Sequence, residues 1–182
     1  MRHALKLHPH SHLIVTGVEA EAERSPPGIL TLRYGLTGEI SRLSVPPPGA
    51  ATRADELWRH TCFEAFVGAV GGEGYYEFNF APSRHWAAYR FDGYRQGMTL
   101  AQDVAAPAIE VEVTGERLDL RVVLDLGTAA LPPEAAWRLG LSAVVEGADD
   151  SRAYWALAHP PGKADFHHAD CFALELTANG KS

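Results

Sequence analysis

The stretch RLDLRVVLDL, residues 117–126, alternates apolar and polar side chains along most of its length. The apolar side chains at positions 118, 120, 122, 124 and 126 fall on one side of an extended chain, and Asp119, Arg121 and Asp125 fall on the other. Successive side chains of a β-strand point to opposite faces of its sheet. The pattern therefore predicts a strand with one buried face.

The same period of two recurs through the chain. It is found in ILTLRYGL (29–36), YYEFNFA (75–81), IEVEV (109–113), LGLSAVVEG (139–147) and FALEL (172–176). Turn signals rich in Gly, Pro and Asp separate these runs, and only LPPEAAWR (131–138) suggests one helical turn. Roughly nine or ten short strands so spaced predict an all-β fold, an antiparallel β-sandwich or jelly roll with almost no helix. We expect one domain over residues 1–182, with flexible segments at 1–10 and 178–182.

Composition narrows the classes of partner. The chain has 182 residues and a formal net charge of −7, which argues against nucleic-acid binding. No apolar run is long enough to cross a membrane, and the first residues do not form a signal peptide, so we expect a cytoplasmic protein without a membrane partner. Cys62 and Cys171 are too few to define a disulfide framework, and we interpret them as small buried apolar residues.

The common catalytic motifs are missing from the sequence. The glycines of GAVGGEG are not followed by the lysine and helix of a phosphate-binding loop, and there is no Gly-x-Ser-x-Gly motif. Ser83, His85 and Asp92 are close in the chain, but nothing indicates the geometry of a triad. The sequence therefore favours a protein that is not an enzyme.

Four segments carry a resemblance to a known family. They are DELWRHTCFEAFVG (55–68), YYEFNFAPSRHWAAYRFDGYRQGM (75–98), LGLSAVVEG (139–147) and YWALAHPPGKADFHHADCFALEL (154–176). Together they resemble the DOMON-like domains related to family 9 carbohydrate-binding modules, over roughly residues 55 to 176. That superfamily contains sugar-binding and haem-binding members on one β-sandwich, so the resemblance implies the fold more narrowly than the ligand.

The resemblance implies a sugar site with two aromatic walls, at one end or face of the sandwich. Trp58 and Phe166 match the wall positions, although the second is a Trp in the best-known sugar binders. No counterpart of the calcium sites of some relatives is evident. Aromatic rings can cover the apolar face of a pyranose, and polar side chains can reach its hydroxyl groups. The candidate polar residues are Arg59, His60, Glu77, Asn79, Lys163, Asp165 and His167.

Three alternatives stay open beside a small sugar or sugar-like ligand without a cofactor. Met98 and His167 could be axial ligands if the domain binds haem, as some DOMON relatives do. A metal-dependent enzyme would draw on His60, His167 and His168, with Asp170 as a further candidate ligand. A protein-interaction module has no distinguishing residue. The identity of the ligand and the oligomeric state are not predicted.

Overall fold

The computed structural model describes residues 1–178. Within this range the chain forms thirteen strands and three short 3₁₀ turns, and it has no α-helix. The strands are β1 (Arg2–Ala4), β2 (Lys6–Leu7), β3 (Gly17–Ser25), β4 (Ile29–Thr37), β5 (Cys62–Ala69), β6 (Tyr75–Phe80), β7 (Trp86–Phe91), β8 (Thr99–Leu100), β9 (Ala108–Val113), β10 (Arg117–Asp125), β11 (Trp137–Glu146), β12 (Arg152–Ala156) and β13 (Leu174–Leu176). The 3₁₀ turns are Ile40–Arg42, Leu57–Arg59 and Ala169–Cys171.

The strands form two antiparallel sheets. The five-stranded sheet has the order β1-β3-β4-β10-β9, and the eight-stranded sheet has the order β2-β12-β11-β5-β6-β7-β8, with β13 also paired to β11. Strand β10 lies inside the first sheet, paired with β4 along nine residues and with the edge strand β9 along six. The prediction of an all-β antiparallel sandwich is confirmed, and the number of strands is somewhat higher than predicted because several are only two or three residues long.

The core lies between the two sheets. The apolar side chains on the predicted inner faces of β4 and β10 are fully buried, and so are Phe63, Phe78 and Phe80 from the other sheet. The hydroxyl of Tyr34 spans the layers and donates a hydrogen bond of 2.7 Å to the backbone carbonyl of Glu64. Burial of apolar surface of this extent is the main stabilising contribution in a fold of this size.

The first residues form strands, in contrast to the expected flexible segment at 1–10. Strand β1 pairs with β3, and β2 pairs with β12. Leu5 and His8 are buried, and the backbone N–H of His8 donates to the carbonyl of Tyr154 at 2.8 Å. This burial holds the segment against both sheets. In the other segment expected to be flexible, residues 179–182 lie outside the described residues.

The predicted helical turn at 131–138 is wrong. Residues 133–134 form a turn, and Trp137 is the first residue of β11, almost fully buried. The guanidinium of Arg24 lies 3.6 Å from the centre of the Trp137 ring and donates to the carbonyls of Pro133 and Ala135. These contacts and the two prolines favour an extended entry into the strand. No helix within residues 1–178 has the length and hydrophobicity to cross a membrane.

Candidate functional site

The eight-stranded sheet is covered on both faces near its centre. Its inner face packs on the core, and its outer face carries a second apolar cluster. The buried members of this cluster are Phe66, Tyr75, Ala87, Tyr89, Phe91, Val144, Ala156 and Phe166. Leu57, Trp58, Tyr154 and Phe172 pack against them and are half-buried. An outer sheet face that is apolar and covered by loops is a usual place for a ligand site.

A cavity of about 450 Å³ opens on this face. Its lining is Trp58, Arg59, Glu64, Phe66, Glu77, Phe91, Arg95, Met98, Val144, Arg152, Tyr154, Ala164, Phe166 and His167. The residues come from five strands or adjoining loops that are distant in sequence. Aromatic and aliphatic side chains alternate here with charged ones, which is typical of pockets for small polar molecules.

Trp58 lies in the 3₁₀ turn Leu57–Arg59, just before β5. Glu56 precedes the turn in the left-handed region, with φ of 60°, and reverses the chain ahead of the strand. The Trp58 ring packs edge-on against Tyr89 of β7, 5.9 Å away, and the Tyr89 hydroxyl donates to Asp55 at 2.7 Å. The turn is thereby fixed over the β7 side of the sheet face, and the indole is half-buried.

Phe166 lies on the opposite side of the cavity, toward β12. Its ring is 6.2 Å from those of Tyr154 and His159, and it is 9% exposed. The two aromatic side chains predicted as walls therefore line one cavity from its two sides. Phe166 is the more deeply packed of the two.

Asp165 organises the loop that carries Phe166. Its carboxylate accepts a hydrogen bond from the backbone N–H of His167 at 3.2 Å and pairs with the guanidinium of Arg95 at 2.7 Å. It also accepts a hydrogen bond from the hydroxyl of Tyr94. Tyr94 and Arg95 belong to the connection between β7 and β8, so one carboxylate joins two segments that are 70 residues apart.

Two carboxylates form the floor of the cavity. Glu64 on β5 is 3% exposed and accepts a hydrogen bond from Ser142 at 3.2 Å. Glu77 on β6 is 5% exposed and accepts one from the Asn79 side chain at 2.7 Å. The strand register brings them together, because Glu64 lies opposite Asn79 and Glu77 lies opposite Phe66 on the neighbouring strand.

Burial raises the pKa of both floor carboxyl groups. For Glu64 the negative charge of Glu77 adds to this effect, so its pKa lies well above the ordinary value. The pKa of Glu77 is raised as well, although the hydrogen bond from Asn79 opposes the change. The positive charge of Arg95 favours the ionised form of both groups without overcoming burial.

His167 connects the floor to the loop. Its Nδ1 lies 2.8 Å from the hydroxyl of Tyr75, and its Nε2 lies 3.5 Å from Oε2 of Glu77. The Tyr75 oxygen also accepts a hydrogen bond from the backbone N–H of Arg95. Burial, with the nearby Arg95 charge, lowers the pKa of His167 to about 4.

Three arginines stand at the rim of the cavity, and each has its own carboxylate partner. The pairs are Arg59 with Glu56 at 2.7 Å, Arg95 with Asp165 at 2.7 Å and Arg152 with Glu146 at 3.5 Å. All three guanidinium groups are at least two-fifths exposed, so they can also reach a bound molecule. Planar guanidinium groups suit the bidentate recognition of adjacent oxygen atoms.

The structure brings five of the nine predicted ligand residues to the cavity: Trp58, Arg59, Glu77, Phe166 and His167. The other four are close by without lining it. Asn79 donates a hydrogen bond to Glu77, and Asp165 pairs with Arg95, so both contact residues that line the cavity. Lys163 is exposed on the loop. The His60 side chain lies 2.8 Å from Glu146, in a neighbouring hollow.

Sequence reasoning missed Glu64, Arg95 and Arg152. Glu64 had a usable signal, because a lone carboxylate inside the apolar run CFEAFV is unexpected unless it serves a site. Arg95 and Arg152 had none, since their neighbours in the chain are ordinary turn residues. Only the pairing of distant strands places them here.

The metal and haem alternatives are not strengthened by the geometry. Within residues 1–178, no three His, Cys, Asp or Glu side chains are grouped as a metal site requires. His168 contacts Asp170 at 3.5 Å, whereas His60 contacts a different carboxylate, that of Glu146. Met98 and His167 do line the same cavity, but both ring nitrogens of His167 already face protein groups. Both alternatives stay predictions.

Two other hollows on the described surface lack aromatic walls of this kind. One of about 550 Å³ lies over the outer face of the five-stranded sheet and is lined mainly by paired charges, such as Arg117 with Glu19 and Asp119. The other, of about 650 Å³, contains His60 and Ser83 beside a proline-rich loop. Neither contains two buried carboxylates, so we place the candidate site at the aromatic cavity.

Comparison with solved structures identifies the class of fold. The first match is a proposed carbohydrate-binding protein of Bacteroides uniformis ATCC 8492, with a TM-score of 0.69 and 13% identity, covering 97% of this chain and 85% of that one. A family 9 carbohydrate-binding module of Caldicellulosiruptor kristjanssonii, solved with cellotriose, matches with a TM-score of 0.57 and 10% identity over 100% and 84% of the two chains. The same kind of module from that organism, solved with glucose, gives 0.51 and 10% over 98% and 86%.

The β-sandwich of this protein is therefore that of family 9 carbohydrate-binding modules. At these identities the likeness shows the fold alone. No protein-family model matches the sequence, and no curated protein matches it significantly. The resemblance to DOMON-like domains stays a prediction.

Proposed function

We propose that this domain binds a small sugar or sugar-like metabolite without catalysing its conversion. One observation carries the proposal: Trp58 and Phe166, predicted as the walls of a sugar site, line opposite sides of a single cavity whose floor is polar. Stacking of a ring on aromatic faces and hydrogen bonds to its hydroxyl groups are the two interactions a pyranose requires. The cavity offers both.

The comparisons support this proposal. Two of the matched structures are family 9 modules that hold cellotriose and glucose on the same fold. In the present chain Glu77 and Arg95 are held by Asn79 and Asp165, so their positions are fixed before a ligand arrives. Preorganised polar groups reduce the entropy lost on binding.

Thermal melting against a panel of mono- and disaccharides tests the proposal. A ligand at about 100 times its dissociation constant adds about 2.7 kcal/mol of stability, a shift of several degrees for a domain of this size. We expect a sugar-specific shift that is lost in Trp58→Ala, because half of the stacking surface is removed. Absence of a shift with every sugar tested would contradict the proposal.

A control separates the site from general loss of stability. Val113→Ala truncates an exposed apolar side chain on β9, in the other sheet. It should melt as the natural protein does and keep the full shift with sugar. Retained binding in Trp58→Ala would place the ligand elsewhere on the domain.

A further inference from the structure

The two carboxyl groups at the cavity floor have no ion-pair partner among the rim arginines. The three rim arginines are each paired with a carboxylate that is not part of the floor. Within residues 1–178, neither Glu64 nor Glu77 forms an ion pair with a lysine or an arginine. The charge of Arg95 is near enough to favour their ionised form, but its guanidinium pairs with Asp165, and burial keeps the adjacent His167 neutral. The floor thus contains two carboxyl groups without a direct Lys or Arg partner within residues 1–178.

Glu64 is also incompletely hydrogen-bonded. Ser142 donates to its Oε2, and no other side chain or backbone group of residues 1–178 donates to the carboxyl group. Glu64 lines the cavity although it is 3% exposed, so its carboxyl group is within reach of a bound molecule. A ligand that donates to this carboxyl group would add a hydrogen bond to the one from Ser142.

An ammonium group would suit this position better than a hydroxyl group. It has three donors and a positive charge, and hydrogen bonds between charged partners are the stronger ones. Their strength increases where water is excluded. The aromatic face of Trp58 at the same cavity also attracts cations. Each rim arginine is paired with a carboxylate, and these carboxylates offset the repulsion between the arginines and a bound ammonium group.

We propose that the preferred ligand is an amino sugar, whose protonated amino group donates to Glu64 and Glu77 while its ring stacks on Trp58 and Phe166. This inference rests on the proposed sugar-binding function and specifies the chemical class of the sugar. Neutral hexoses would bind the same walls but leave the floor carboxyl groups without a cationic partner.

Binding of an ammonium group should release protons. Burial favours the protonated form of both floor carboxyl groups, whereas a bound cation favours their ionised form. The displaced proton passes to the buffer. A neutral sugar would not drive this exchange, so proton release distinguishes the two kinds of ligand.

Isothermal titration calorimetry at pH 7 with D-glucosamine, D-glucose and N-acetyl-D-glucosamine tests the inference. We expect D-glucosamine to bind at least tenfold more tightly than the two neutral sugars. Its binding heat should depend on the ionisation enthalpy of the buffer, whereas theirs should not. Glu64→Gln should lower the ratio of glucosamine to glucose affinity toward one. Glu77→Gln is a second variant with the same expected change, and a melting curve verifies that each is folded.

The outcomes separate this inference from the proposed function. If D-glucose or N-acetyl-D-glucosamine binds as tightly as D-glucosamine, the amino-sugar inference is overturned and the sugar site stands. An unchanged affinity ratio in both folded variants would also overturn it, because the floor carboxyl groups would then not recognise the amine. If none of these sugars nor any sugar of the melting panel binds, the sugar-binding function and the inference fail together.

Discussion

Nε2 of His167 lies 3.5 Å from Oε2 of Glu77 at the cavity floor. In this pair the carboxyl group has a higher pKa than the imidazole, the reverse of the usual order. Burial lowers the pKa of the imidazole to about 4 and raises that of the carboxyl group above its ordinary value of 4.5. On acidification the carboxyl group is therefore protonated before the imidazole. The pair passes from charged carboxylate to neutral acid while His167 stays neutral.

The buried imidazole makes stability depend on pH. The pKa of His167 is about 4 in the folded protein and about 6.5 in the unfolded chain, so the unfolded chain takes up a proton first. Its contribution is fully present above pH 6.5 and is lost as the pH falls toward 4, by up to about 3 kcal/mol. Urea unfolding at several pH values should show this fall in the natural protein and a shallower one in His167→Gln. Equal slopes in the two proteins would contradict the assignment.

The buried carboxyl group of Glu64 should make stability depend on pH in the opposite direction to His167. Because the pKa of Glu64 is raised in the folded protein, its contribution to stability is present below pH 4.5 and is lost as the pH rises through the folded value. The Glu64→Gln variant should therefore be more stable than the natural protein at pH 8 and should match it near pH 4. Glu112→Gln, on the exposed face of β9, is the control and should track the natural protein at both pH values. A variant that is less stable at pH 8 would show that the Ser142 contact outweighs the buried charge.

Asp165→Asn should weaken sugar binding with little change in melting temperature. The substitution removes the charge that holds Arg95 and Tyr94 against the Phe166 loop, so we expect affinity to fall by roughly tenfold. Exposed ion pairs contribute at most about 1 kcal/mol to folding, so the melting curve should move by only a few degrees. Asp119→Asn breaks a comparable pair with Arg117 on the other sheet. That control should leave calorimetric binding unchanged, and an equal loss in both variants would exclude a local role for Asp165.

Gly140→Ala should displace the loop that carries Phe166, because Gly140 lies on the strand below that loop. A Cβ atom at Gly140 would lie 3.1 Å from the backbone carbonyl of Cys171, which ends the loop carrying Phe166. Overpacking of this kind costs about 1–3 kcal/mol. Gly17→Ala adds a Cβ with no heavy atom within 4 Å and is the matched control. We expect lower stability and weaker binding from the first variant only, measured by urea unfolding and calorimetry; unchanged stability in Gly140→Ala would show that the loop can move freely.

The alternation of side chains predicted the fold because one buried face is a local property of each strand. In β10 and β4 the polar face is solvated, and the pattern is easily recognised. In β5 and β6 every residue but the last of β5 is buried, because loops cover the outer face too. Burial on both faces is decided by which loop folds over which strand, and the alternation cannot show it.

The site was predictable only in part, for the same reason. Trp58 and Phe166 were found through the resemblance to a known family. The hydrogen bonds of His167 to Tyr75 and of Asp165 to Arg95 join segments 92 and 70 residues apart. Such contacts depend on strand register, which a single sequence does not specify. The burial of Glu64 and its elevated pKa follow from that register.

The seven residues Met1 to Leu7 border both sheets, with β1 on the edge of one and β2 on the edge of the other. Because β1 pairs with β3 and β2 pairs with β12, this segment joins the edges of the two layers and acts as a clasp. Its detachment would uncover two strand edges at once, each with unpaired backbone N–H and C=O groups. Such edges are the surfaces through which β-proteins associate with copies of themselves. The clasp therefore protects the domain against aggregation as well as against unfolding.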